Sequence, residues 1–204
     1  MDPISRLTEY FREFPGIGPR QAKRFVYFLL TKNPIYLEEL SKLIIEVKKN
    51  IKVCDSCFRF YQNTNSNICN ICLDINRDIS QLMIVSRDVD FEAIEKSKVY
   101  NGYYFILGGN IPILDKEPEK KVRLNQLFER INRDKDKIKE IILSLNANAE
   151  GEHTTEFIRN YIKEKFPSSD FSITVLGRGL STGTELEYSD SDTIKNALKN
   201  RERV

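Results

Sequence analysis

The most concentrated reactive chemistry in this 204-residue chain is a set of four cysteines, all between positions 54 and 72. Cys54-x2-Cys57 and Cys69-x2-Cys72 are two knuckles separated by eleven residues. Each knuckle can turn two thiolates to one side of a tight turn. Two knuckles then supply the closed four-sulfur set that suits a structural Zn²⁺. No coordination position is left open, so such a metal staples the chain and does not catalyse. Four free thiols, a pair of disulfides or an iron–sulfur cluster are the competing readings. Reduced thiols and paired spacing favour zinc, whose work is to hold a segment too polar to fold alone.

A second constellation is Pro15-Gly16-Ile17-Gly18-Pro19-Arg20. Gly16 and Gly18 let backbone approach a ligand closely. Pro19 suits the first turn of a following helix, whose leading N–H groups are unpaired and attract anions. Arg20, Lys23 and Arg24 fall on its first turns, within reach of phosphates. The pattern resembles a helix-hairpin-helix motif, which grips the DNA backbone without reading sequence. The competing reading is a plain helical turn.

A third is Asn146-Ala147-Asn148-Ala149-Glu150-Gly151-Glu152. It follows an apolar strand, where parallel sheets keep their ligand loops. Glu150 and Glu152 are expected either to favour the dipole of the next helix or to contact a partner. His153 is the sole histidine, so there is no histidine cluster. Gly177-Arg178-Gly179 and Gly183 make a glycine-rich turn, but no Gly-Lys-Ser/Thr follows and a nucleotide P-loop is unsupported.

The elements that must position these groups follow from periodicity. Ile4, Leu7, Phe11 and Phe14 make one helical stripe, stopped by Pro15 and Gly16. Ala22, Phe25, Val26 and Leu29 form the buried face of a second helix. Asn33 and Pro34 open a third, with Leu37, Leu40, Leu43, Ile44 and Val47 as its stripe. Fifty residues bury little core alone, so this unit leans on the rest of the chain or on another subunit. Asn63, Asn65, Ser66 and Asn67 between the knuckles read as loop. Beyond residue 80, strands at Leu82–Val85, Tyr103–Leu107, Ile141–Leu145 and Phe171–Leu176 alternate with amphipathic helices. That order implies crossover units and a mostly parallel sheet. Thr193–Lys199 reads as a closing helix.

Composition sets the outer bounds. Hydrophobic residues are 40% and charged residues 30%, as in a folded chain and unlike a disordered one. No apolar stretch approaches the roughly 20 residues of a membrane helix. The Met-Asp-Pro start, with acids nearby, does not read as a signal peptide. The net charge of +2 hides an asymmetry: residues 1–53 hold ten Lys/Arg against six Asp/Glu, leaving 22 against 24 for the remainder. A basic excess at the N-terminus permits contact with phosphates.

The strand order and the loop at 146–152 resemble a Toprim domain. In catalytic Toprim domains a Glu after the first strand and an Asp-x-Asp pair after the third hold Mg²⁺ for phosphoryl transfer. Here Ser86 stands at the first position and Asn146 and Asn148 at the others, so the charge a cation needs is missing. Helix-hairpin-helix, four-cysteine knuckle, degenerate Toprim domain and a terminal Gly179-Leu180-Ser181-Thr182-Gly183-Thr184-Glu185-Leu186-Glu187-Tyr188 together resemble the RecR family of bacterial recombination mediators, over nearly the whole chain.

The resemblance implies an α+β, multi-part fold. Its parts are a helix-hairpin-helix DNA-binding region (1–53), a C4-type zinc finger (54–79), a Toprim-like α/β domain (80–176) and a C-terminal assembly segment (177–204). It implies a cytoplasmic, non-catalytic protein that forms dimers and tetrameric rings around gapped, single- or double-stranded DNA. Such a protein acts with RecO and RecF to help load RecA. By the same resemblance Cys54, Cys57, Cys69 and Cys72 hold zinc, and Gly16, Gly18, Arg20, Lys23 and Arg24 face DNA. Glu150, Gly151 and Glu152 are the Toprim remnant that binds partners. The chain departs from the family at Ser86, usually Glu and here followed by Arg87, and at Ser181, often Pro. A Mg²⁺-dependent nuclease or primase-like enzyme and a zinc-stapled adaptor without DNA binding are the alternatives.

Overall fold

A computed structural model describes residues 2–62, 65–114 and 117–201, with nothing said of the Glu119 side chain. Asn63 and the last three residues of the C-terminal segment therefore lie outside the described residues. The chain divides into two compact units, Met1–Ile51 and Lys52–Val204.

The first unit is three helices: α1 (Pro3–Arg12), α2 (Pro19–Leu30) and α3 (Pro34–Asn50). Each begins with Pro in its first turn, where the missing N–H costs nothing. Asp2 caps α1 by accepting from Ile4 and Ser5, and Asn33 caps α3 by accepting from Tyr36. The first helix ends at Arg12, before Phe14, because the chain must turn toward Gly16, whose φ of +77° suits a glycine. Phe11 still packs edge-on against both Phe14 and Phe25, with centroids 5.7 Å apart in each pair. Within the hairpin only Ala22 and Val26 are buried. The expected stripe of α3 is largely open: Leu43, Ile44 and Val47 are all more than half exposed, while Leu40 is half-buried.

The second unit is built on one sheet. Its strands are β3 (Asp78–Val85), β4 (Gly102–Ile106), β5 (Glu140–Ser144) and β6 (Ser172–Val175), in the order β4-β3-β5-β6, all parallel. The helices between them are α5 (Asp88–Ser97), α6 (Leu124–Asp134) and α7 (Ala149–Lys165), and α8 (Ser191–Lys199) follows. Strand residues alternate between two cores. Leu82, Ile84, Phe105, Ile141 and Leu143 face Leu127 and Ile131 of α6 and Ile158 and Ile162 of α7. Met83, Val85, Tyr104 and Ile106 face Phe91 of α5 together with Cys54, Cys57, Cys69 and Ile71. The four-cysteine segment is therefore one of the layers covering the sheet.

Asn65, Ser66 and Asn67 lie in irregular backbone, as the loop reading expects, with short regular elements to either side. Around them lie β1 (Ile51–Val53), paired with β2 (Phe60–Gln62), and the one-turn α4 (Asn70–Leu73). Asn-rich composition marks turns, but here the turns close around the sulfurs. No described helix is long and apolar enough to cross a membrane.

Candidate metal centre and nucleic-acid interface

The ligand atoms of Cys54, Cys57, Cys69 and Cys72 all lie within 4.8 Å of one another, three of the residues buried and Cys72 half-buried. Cys57 Sγ and Cys69 Sγ are 3.6 Å apart. With Zn–S at about 2.3 Å, a tetrahedron of sulfurs has edges of about 3.8 Å, so the set fits a single ion. It leaves no room for a multi-iron cluster. Cys54 Sγ accepts from the backbone N–H of Ser56 at 3.4 Å and of Cys69 at 3.3 Å. Hydrogen bonds among the four thiols hold Cys54 and Cys69 below the usual thiol range and push Cys57 and Cys72 above it, so the set shares its protons. A thiolate is the form a metal binds.

The knuckle is fastened from outside by residues that carry no spacing signal. Ser56 Oγ accepts from Arg130 Nη1 at 3.1 Å and Arg133 Nη2 at 3.0 Å, both on α6. Arg123 Nη1 donates to the carbonyls of Ile106 at 2.8 Å and Phe58 at 3.4 Å. Tyr61 Oη donates to the Ser66 carbonyl at 2.6 Å and ties β2 to the segment between the knuckles. Sequence reasoning missed Ser56, Arg123 and Arg130 because their partners lie far along the chain.

On α2 the arrangement is that of an anion site. Gly18 stands at the N-cap and supplies no side-chain cap. Among the described residues the backbone N–H groups of Arg20 and Gln21 have no partner, and the first bond of the helix is Ala22 N–H to the Gly18 carbonyl at 2.9 Å. A Cβ at Gly16 or Gly18 would meet nothing within 4 Å, so both lie open to a ligand. Arg20, Lys23 and Arg24 are exposed on one helical face, opposite the buried Ala22 and Val26.

The third place is the crevice where the crossovers from β3 and β5 leave to opposite faces, the switch point of such a sheet. Ser86 is fully buried there, and its Oγ donates to Asn110 Oδ1 at 2.7 Å. Asn148 caps α7 by accepting from the Gly151 N–H at 2.9 Å. Gly151 is buried, and a Cβ on it would stand 2.0 Å from the Asn146 carbonyl oxygen. Only glycine fits, so this position is set by backbone approach inside the fold. Glu150 is exposed, while Glu152 is paired with Arg178 at 2.5 Å. The crevice thus presents Ser86 engaged with Asn110 and Asn148 engaged with the Gly151 N–H, and of its two acids Glu152 is held by Arg178.

The chain is similar to known proteins along nearly its whole length. Three family models match: "RecR, helix-hairpin-helix" over residues 4–48, "Toprim domain" over 80–177, and "RecR, C-terminal" over 179–202. The chain is 36% identical over 201 residues to Recombination protein RecR of Legionella pneumophila, covering 98% of this chain and 96% of that one. It is 34% identical over 199 residues to Recombination protein RecR of Lactobacillus johnsonii, covering 98% and 96%. It is 32% identical over 202 residues to Recombination protein RecR of Gloeobacter violaceus, covering 99% and 98%.

Proposed function

The chain belongs to the RecR family of recombination proteins, and we propose that it works in recombinational repair as a non-catalytic DNA-binding mediator. The observation that carries this reading is the pairing of an open, carboxylate-free anion site on α2 with a switch-point crevice closed by Ser86 and Asn110. The first suits phosphates. The second has Ser86, Asn146 and Asn148 where a Mg²⁺ ion would need carboxylates, and its Glu152 is already paired with Arg178.

In this reading Gly16, Gly18, Arg20, Lys23 and Arg24 form the DNA contact. Their contacts go to the backbone, so binding is independent of sequence. Cys54, Cys57, Cys69 and Cys72 hold one structural Zn²⁺. That ion closes the polar segment into the layer that covers β3 and β4, and it takes no part in any reaction. Residues 1–53, 54–79, 80–176 and 177–204 act as hairpin, zinc finger, Toprim-like domain and assembly segment.

One hairpin with two or three phosphate contacts binds weakly and loses affinity steeply with salt. Several hairpins in a homodimer or homotetramer raise the effective concentration of each. The exposed apolar row of α3, and Leu186, Tyr188 and Leu198 near the C-terminus, support self-association into such a clamp. RecO and RecF are its partners, RecA is served through them, and Glu150 and Glu152 belong to the surface they meet. The protein works in the bacterial cytoplasm.

The test is fluorescence anisotropy with a labelled gapped duplex at several salt concentrations, Mg²⁺ present. Saturable binding that weakens with salt and has similar strength on unrelated sequences supports the mediator. DNA cleavage that is lost in Glu150→Gln would revive a Toprim enzyme. Partner binding with no DNA binding at low salt would favour an adaptor.

A further inference from the structure

Residues 19–37 contain Arg20, Lys23, Arg24 and Lys32 and no carboxylate. The same stretch leaves three aromatic rings open: Tyr27 and Phe28 are each 50% exposed, and Tyr36 is 40% exposed. The cations and rings are interleaved. Lys32 Nζ lies 4.3 Å from the centroid of the Phe28 ring and 5.6 Å from that of Tyr36. Lys23 Nζ lies 6.0 Å from that of Tyr27. No ion pair is formed by any of these four cations among the described residues.

Helix geometry aligns this patch with the anion site. Tyr27 is four residues beyond Lys23 and three beyond Arg24, and Phe28 is four beyond Arg24, so the rings share a surface with the cations. From Arg20 to Tyr27 the rise is about 10 Å along α2. A phosphate at the start of the helix and a base at its end can thus belong to one short stretch of nucleic acid.

We propose that Tyr27, Phe28 and Tyr36, with Lys32 between the last two, form a stacking platform for the unpaired bases of single-stranded DNA beside the phosphate-gripping start of α2. This rests on the DNA reading given above and adds a basis for discriminating strand state. A duplex hides the faces of its bases inside the stack and offers only edges and phosphates. Unpaired bases offer their faces, and aromatic rings beside cations accept any of the four. A patch this basic, with no acid among its residues, matches a polyanion better than an apolar protein surface.

The experiment uses the full chain with labelled oligo-dT and a duplex of equal length at low salt. The variants are Tyr27→Ala, Phe28→Ala, Tyr36→Ala, Tyr36→Phe and Arg20→Glu, each checked for mass by light scattering. The alanine variants are expected to lose about ten-fold in affinity for the single strand, with duplex affinity unchanged. Tyr36→Phe keeps single-strand affinity, and Arg20→Glu weakens both. Ring variants that leave single-strand binding intact, or weaken both forms equally, overturn the platform while wild-type binding keeps the DNA reading. Ring variants that change the oligomeric mass overturn it in favour of a second copy covering the rings. Wild-type protein that binds neither form overturns the DNA reading and the platform with it.

Discussion

The backbone N–H of Ile106 donates to the carbonyl oxygen of Cys57 at 2.8 Å. Ile106 is the last residue of β4, an edge strand whose outer side would otherwise present bare backbone groups. The same residue's carbonyl accepts from Arg123 at 2.8 Å. The sulfur cluster and the edge of the sheet are thus joined through one ligand residue, so loss of the cluster should be felt in the sheet.

Purified protein is expected to carry about one zinc per chain by elemental analysis. Removing it with a chelator, or changing Cys57 to Ser, should lower the melting temperature and speed amide exchange at Ile106. Exchange at Ile106 that stays as slow as in Leu143, at the centre of the sheet, would count against the coupling.

Replacing Arg20 and Arg24 together with Glu should weaken binding to a gapped duplex by at least about ten-fold and reduce the salt slope by about one for each phosphate no longer neutralised. Both side chains are exposed and form no ion pair among the described residues, so the melting temperature should not move. Affinity that survives the double change would remove this face from the DNA interface.

Gly151→Ala brings a Cβ to 2.0 Å from the Asn146 carbonyl oxygen and 2.7 Å from its carbon. These are backbone atoms, so relief requires the start of α7 to shift. A loss of about 1–3 kcal/mol in denaturant unfolding is expected. Ser86→Glu tests the crevice in another way. The position is fully buried, so the added carboxylate should destabilise the fold. No Mg²⁺-dependent cleavage should appear, because Asn146 and Asn148 still bring no charge.

Glu95 gives the fold a pH dependence. Burial alone would raise its carboxyl, but hydrogen bonds from Arg77 and Tyr104 and the Arg77 charge more than offset this and hold it below its ordinary 4.5. Arg77 Nη2 is 2.5 Å from Glu95 Oε1, and the two side chains are only 7% and 15% exposed. A carboxyl lowered by folding adds stability above its unfolded value, and that stability is lost as pH falls through the folded value. Glu95→Ala should therefore cost about 3 kcal/mol near neutral pH, by leaving the buried Arg77 with only the Gly102 carbonyl at 3.0 Å and a long ion pair to Asp74 at 3.9 Å. The gap between variant and wild type should narrow below about pH 4. A gap that stays constant as the pH is taken well below that value would argue against a charged pair.

Much of the fold was legible because its signals are local. The knuckle spacing, the Pro and Gly around the hairpin turn, and the alternation of strands and helices depend on residues within a few turns of one another. The loss of acids at Ser86, Asn146 and Asn148 could be read position by position. The 54–72 segment was less legible, since Asn-rich composition speaks of turns and not of what those turns enclose.

By itself the sequence determined that two CxxC pairs could supply one four-sulfur set, that Arg20, Lys23 and Arg24 would fall on the first turns of a helix, and that the sheet would be mostly parallel. Backbone periodicity and tight-turn sterics suffice for each of these. Only the tertiary structure decided that the knuckle roofs one side of the sheet and that Ser56 is gripped by Arg130 and Arg133. It likewise decided that Gly151 is demanded by the Asn146 carbonyl and that Leu43, Ile44 and Val47 of α3 lie more than half exposed. Those outcomes depend on distant segments competing for the same apolar surface and the same hydrogen-bonding groups, and spacing along the chain carries no record of that competition.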